Sequence, residues 1–202
     1  MDWMGFALTV LVIELTPGPN MAWLAMLAAT RGRRMGLAAA LGTTLGLAIN
    51  GLLAAAGLAV ILSTTPWLWT MLRWAGAALM LWLAADAWRD AAPSSPTARQ
   101  QAGLARQFAT GAMINLLNPK AFLFYVLIAP PFLPDGKLTF PIAMMLTMIS
   151  VSIATAIHIV IILLGAGAHR WLGDPARTRL VRRIMAVGLV GVAGWFLLST
   201  GL

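Results

Sequence analysis

The stretch Glu14-Leu15-Thr16-Pro17-Gly18-Pro19-Asn20 interrupts a run from Trp3 to Thr30 that is otherwise almost free of charge. Without it the run reads as one apolar helix. A proline deletes a backbone donor inside a helix, and a carboxylate is costly in an apolar span. Both in one place point to a helix broken for function rather than for stability.

Composition sets the solvent. Of 202 residues, 60% are hydrophobic and only 10% charged, whereas soluble domains carry roughly 25% charged residues. The chain reads as an integral membrane protein. Its formal charge of +8 is concentrated between apolar runs, which fits topology and gives no basic surface for nucleic acid. No cysteine is present, so disulfides, thiolate metal sites and cysteine nucleophiles are excluded. No metal or cofactor is expected. The opening Met1-Asp2-Trp3-Met4 lacks a basic leading region, and no cleaved signal peptide is expected.

About 20 apolar residues cross the hydrocarbon core as a helix. Six runs approach or exceed that length: Trp3 to Thr30, Met35 to Leu62, Pro66 to Ala85, Gln107 to Phe132, Leu138 to Ala168 and Ile184 to Leu202. Alternate connections are basic. The first carries Arg31, Arg33 and Arg34, the third Arg89, Arg99 and Arg106, and the fifth Arg170, Arg177, Arg179, Arg182 and Arg183. Lys137 stands alone on the other side. The positive-inside bias then places both termini outside the cytoplasm, with Trp3, Trp67 and Trp69 at the outer interface and Trp88 and Trp171 at the inner one.

The expected fold is an all-α integral membrane protein in one transmembrane transporter domain, residues 1–202. Residues 1–88 form a first three-helix repeat, 89–106 a cytoplasmic linker and 107–202 a second repeat. Three spans per half make the second repeat inverted, as in many transporters. The two halves match at one feature. Asn115-Leu116-Leu117-Asn118-Pro119-Lys120 interrupts the fourth span much as residues 14–20 interrupt the first.

Pro17 and Pro19 cannot donate to the carbonyls of Ile13 and Leu15, so those oxygens are expected to be free, and Gly18 permits a turn or a close ligand. Asn118 followed by Pro119 reads as a cap and first helical position, so helix 4 restarts there. A restarted helix offers unpaired amides and partial positive charge to an anion. Lys120 in that first turn calls for a negative partner: Glu14, or a substrate carboxylate. At about 1.5 Å per residue, Glu14 and Lys120 both fall near mid-membrane. With Asn20 and Asn115 they could receive a zwitterion, its carboxylate toward Lys120 and its ammonium toward Glu14. The other reading is a buried structural ion pair beside two kinked helices. Glu14 and His158 are the candidates for proton coupling, although a lone histidine bonded to a carbonyl would serve structure alone. Gly42, Gly46 and Asn50 share a face whose four-residue spacing suits close helix packing, and Gly188, Gly191 and Gly194 read as a contact surface.

These motifs carry a resemblance. Leu15 to Asn20, Leu72 to Trp88 and Asn115 to Leu133 are similar to the LysE/RhtB superfamily of bacterial amino-acid exporters, of the lysine and homoserine/threonine efflux type. Length, the six-span plan and motif order agree along the chain. The resemblance implies export of an amino acid or close derivative across the bacterial inner membrane by a secondary transporter using protons as antiport partner; a homo-oligomer is compatible with it. The family often has Asp where this chain has Asn20, and Glu14 could supply that charge. A passive channel or membrane scaffold would share the spans without proton coupling. An intramembrane enzyme lacks support, since no Gly-x-Ser-x-Gly occurs and His158 has no evident nucleophile beside it.

Overall fold

The computed structural model describes residues 2–16, 19–57, 61, 64–89, 96–118, 121, 124, 128–133, 138–169 and 174–199. Among them are seven α-helices and no strand. They are α1 (Trp3–Leu15), α2 (Pro19–Arg31), α3 (Arg33–Ala55), α4 (Pro66–Trp88), α5 (Pro96–Leu116), α6 (Phe140–His169) and α7 (Pro175–Ser199).

The first expected span is two helices. Asp2 caps α1 by accepting the amide of Gly5 at 2.8 Å, and α1 and α2 are inclined by 58° to one another. One expectation is corrected here: Pro17 cannot serve the carbonyl of Ile13, but the amide of Thr16 reaches back to it at 3.2 Å. A single residue then joins α2 to α3. Gly32 sits at φ 83°, in the left-handed region that glycine enters without steric cost.

The apolar run of the second span reaches Leu62, past the end of α3; residues 58–60 and 62 lie outside the described residues. α3 ends at Ala55, and Gly57, at φ 90°, returns its amide to Ala54, a glycine stop that hydrophobicity does not register. At their starts α5 and α7 are longer than expected. The apolar reading begins them at Gln107 and Ile184, whereas the helices begin at Pro96 and Pro175. Their first turns are rich in Arg and Gln, good helix formers that an apolar count discards. Residues 96–106 of the expected linker are therefore helical.

α3, α4 and α6 are each long and apolar enough to cross a membrane, and α1 with α2 passes the same test together as a bent pair, either one broken span or a re-entrant loop. Leu164, Met4 and Val12 are among many large apolar side chains on the outer surface. In hydrocarbon such exposure has no hydrophobic penalty, and helices associate instead through close packing.

Glycines supply that packing. A Cβ on Gly42 would run into the carbonyl oxygen of Phe108, one on Gly111 into that of Ala39, and one on Gly46 would stand 2.6 Å from that of Ala112. Pairs 42/108 and 46/112 advance together, so α3 and α5 run parallel in backbone contact. This agrees with the packing role read from Gly42 and Gly46. Gly36 against Ile162 and Thr44 against Thr155 make α3 and α6 antiparallel. Phe6 and Val10 cluster with Leu146, while Gly165 meets the carbonyl of Ala25, so α1 and α2 run parallel to α6. Trp88 at the end of α4 lies under Arg183 near the start of α7, so these two are antiparallel.

Trp67 and Trp88 are exposed at opposite ends of α4, as interface anchors should be, but Trp69 is buried. It faces the bundle two residues along the helix from Trp67, where rotation turns it inward. Trp171 lies outside the described residues.

Candidate functional site

Two apolar clusters leave a polar layer between them. At one end Phe6, Val10, Ala129 and Leu146 pack together, with Phe124 and Phe132 edge-on to Phe6 at 5.7 and 5.4 Å between ring centroids. Toward the other end Trp23, Leu24, Leu27, Ala39 and Ile162 belong to the larger core. The register of α1 and α2 on α6, fixed at Val10/Leu146 and Ala25/Gly165, sets the break after Thr16 alongside Ser150 to His158. The register of α3 on α6 brings Asn50 to the same level.

Within that layer, Asn115 donates from Nδ2 to the carbonyl of Thr43 at 2.8 Å, and Asn50 donates from Nδ2 to the carbonyl of Asn115 at 2.7 Å. Both asparagines are buried. The Asn50 donor fixes its amide orientation, so its Oδ1 is the remaining atom, and that oxygen is buried with no hydrogen-bond partner. Oδ1 of Asn20, at the start of α2, is also buried and unpartnered. Buried polar atoms are ordinarily satisfied by protein or ordered water, and leaving one unmade costs about 1–3 kcal/mol.

α5 stops here too. The amide of Leu117 bonds Met113 at 2.9 Å, that of Asn118 bonds Asn115 at 3.1 Å, and Ala121 donates to the Asn118 carbonyl at 3.1 Å. Glu14 is half-buried near the end of α1. His158 is buried on the face of α6 that carries Thr147 and Ser150, whose hydroxyls bond their own helix at Ala143 and Leu146. Thr44 and Thr155 close the layer with a hydroxyl bond of 2.8 Å. Pro17, Gly18, Pro119 and Lys120 lie outside the described residues, and so does any pairing of Glu14 with Lys120; the Pro19 ring does as well.

Sequence reasoning set Asn50 aside as a packing residue. Its buried amide at the level of both interruptions was the available signal, since an asparagine inside a span must find partners.

A second polar group forms at the basic end of the bundle. Asp86 near the end of α4 accepts Arg106 of α5 at 2.7 Å and Arg31 of α2 at 3.5 Å. Arg106 also lies 5.2 Å from the centroid of Trp82. Residues from all three basic connections, Arg31, Arg106 and Arg182, line one small cleft, open to solvent, with Trp23 and Trp82 in its walls. Among the described residues no group of three or more His, Cys, Asp or Glu is placed to hold a metal ion.

Several helices long and apolar enough to cross a membrane, with a break beside buried unpaired amide oxygens, define a multi-pass α-helical membrane protein. The chain belongs to the LysE type translocator family, whose profile matches residues 11–200; it is a translocator and not an enzyme. It is 29% identical over 177 residues to an "Uncharacterized membrane protein" of Vibrio cholerae, covering 86% of this chain and 85% of that one. It is 31% identical over 132 residues to a homoserine/homoserine lactone efflux protein of Salmonella typhimurium, covering 65% of this chain and 64% of the relative. A leucine efflux protein of Klebsiella pneumoniae is 33% identical over 132 residues, covering 62% and 60% respectively. No solved structure matches the chain.

Proposed function

We propose that the protein is a secondary transporter that exports amino acids or close derivatives across the bacterial inner membrane by proton antiport. The relatives named for efflux of homoserine, homoserine lactone and leucine support the substrate class. The observation that carries the reading is the pair of buried, unpartnered oxygens on Asn20 and Asn50 in the layer where the first span breaks and α5 stops. An ammonium is a donor such oxygens can take. In this reading the break residues Glu14, Pro17, Gly18, Pro19 and Asn20 face Asn115, Asn118, Pro119 and Lys120 across the substrate. Lys120 takes the carboxylate, and Glu14, with His158 as alternative, carries the proton.

The six-span inverted plan is part of the proposal. Exchange of the first half for the second turns the α3–α5 contact into that of α6 with α1 and α2, and both are parallel and extensive. The contacts α4–α7 and α3–α6 are antiparallel and map onto themselves. That pattern supports inversion, and the meeting of Arg31, Arg106 and Arg182 in one cleft supports a single cytoplasmic end. Reporter fusions after Leu202 and within Ser94 to Gln100 are expected to read opposite sides of the membrane. A shared side would overturn the plan.

Transport is tested by counterflow in proteoliposomes. Vesicles preloaded with L-leucine or L-homoserine are expected to accumulate labelled substrate transiently, which a passive channel cannot do. Lys120→Met keeps most of the stem and removes the charge; it is expected to reach the membrane and to lose counterflow. Normal counterflow by that variant would leave Lys120 a structural residue.

A further inference from the structure

The cleft at the basic end is separate from the mid-membrane layer, and nothing in the proposed exchange uses it. Its chemistry is specific. One carboxylate, Asp86, is shared between guanidiniums from two other helices, Arg31 and Arg106, with the Arg182 side chain completing the wall. Gln107 and Thr110 also line it, at 4% and 7% exposure. Trp23, Leu27 and Leu83 supply an apolar wall.

We infer that this cleft is a loading site for the substrate, binding an α-amino acid with its carboxylate at Arg31 and Arg106, its ammonium at Asp86 and its side chain against Trp23 and Leu27. The inference rests on the exporter reading for the identity of the ligand. A zwitterion is the ligand that replaces both partners of an ion pair at once. A simple anion would satisfy the arginines and leave Asp86 unpaired; a simple cation would do the reverse. Gln107 and Thr110 offer the remaining donors to the same carboxylate. A phospholipid headgroup without an ammonium would set its phosphate against Asp86 with nothing to pair that carboxylate.

The exchange has a mechanical consequence. Among the described residues, α4 packs extensively on α7 and shares the larger apolar core with α2, and its polar ties to α2 and α5 at this end run through Asp86 and Trp82. A ligand that substitutes for those ties loosens α4 from α2 and α5 at the basic end, while α7 keeps its own packing on α2.

The natural absence of cysteine makes the test direct. Thr30→Cys and Ala87→Cys place single thiols in half-buried positions of the cleft wall, and Ala176→Cys gives an exposed thiol on α7 outside it. Each full-length variant is modified with a small methanethiosulfonate in detergent, with L-leucine, L-homoserine, L-leucine methyl ester or N-acetyl-L-leucine. A bound free amino acid slows modification by 1 + [L]/Kd, about eleven-fold at ten times Kd, at both cleft thiols and leaves Ala176→Cys unchanged. The ester and the acetyl derivative, each lacking one charge, do not protect. Adding Asp86→Asn abolishes protection and Asp86→Glu retains it; should Asp86→Asn fail to fold, the blocked ligands decide the same point. Counterflow without protection overturns the loading site. Protection without counterflow keeps the site and overturns the exporter reading, and absence of both overturns both. Protection by anionic lipid alone, equal protection by the blocked ligands, or a cleft that admits the reagent at neither thiol each overturns the site.

Discussion

Gly42→Leu is expected to leave little or no folded protein after extraction, while Gly188→Leu yields protein that melts like the parent. The same side chain is added to a helix in both cases. At Gly42 its Cβ alone would enter the carbonyl oxygen of Phe108 and stand 2.9 Å from the amide of Ala112. These are backbone atoms of α5, which cannot rotate away as a side chain can. α3 and α5 would have to separate. Overpacking by a few methylenes costs about 1–3 kcal/mol when side chains can yield, so the cost against backbone lies at the top of that range or above. Separation would also stretch the bonds from Asn115 to Thr43 and from Asn50 to Asn115, each worth up to about 2 kcal/mol between membrane helices. Gly188, read from the sequence with Gly191 and Gly194 as a contact surface, meets nothing within the chain: like them it has no atom within 4 Å of a built Cβ, and replacing an exposed helical glycine gains up to about 1 kcal/mol. Thermal unfolding in detergent, followed by size-exclusion profile, measures both. A Gly42→Leu protein with the parent's melting temperature would mean that the α3–α5 seam does not hold the fold.

The same seam shows what a sequence discloses. The Gly42 and Gly46 spacing was legible as a packing face because small residues four apart fall on one side of a helix. The partner, Gly111 on α5, carries no comparable repeat, and its pairing with Ala39 depends on a parallel register between distant segments. The break in the first span was legible because Pro17 and Pro19 act on their own backbone, within one turn. Asn118 as the place where α5 stops was legible for the same reason. Asp86 was not. Its importance comes from Arg31 and Arg106, which stand on two other helices, and a sequence gives an acid beside a tryptophan without saying which cations will reach it. The helix starts at Pro96 and Pro175 were missed on physical grounds too: outside the hydrocarbon a helix can be polar all round, so apolar periodicity ends before the helix does.

The largest functional effect is expected at Glu14. Glu14→Gln is predicted to abolish proton-driven efflux, to the level of vesicles without protein, while the variant still folds. The break placed beside Ser150 to His158 holds Glu14 half-buried, where a carboxyl group can exchange with a proton yet remain near a ligand. An antiporter needs one group that is charged in one half of the cycle and neutral in the other. Glutamine holds the neutral form permanently and keeps the shape. Substrate ammonium and proton compete for the carboxylate in the parent, so parent binding strengthens as pH rises and that proton is lost. In Glu14→Gln whatever binding remains, through Asn20, Asn50 and Lys120, is expected to be flat across the same pH series. Equilibrium binding and efflux, measured together in proteoliposomes under an imposed proton gradient, separate the roles: loss of efflux with pH-independent residual binding assigns the proton to Glu14. A Glu14→Gln protein that still concentrates substrate against its gradient would remove Glu14 from the coupling step and transfer it to His158, the other titratable side chain beside the break, where His158→Asn would then have to stop transport.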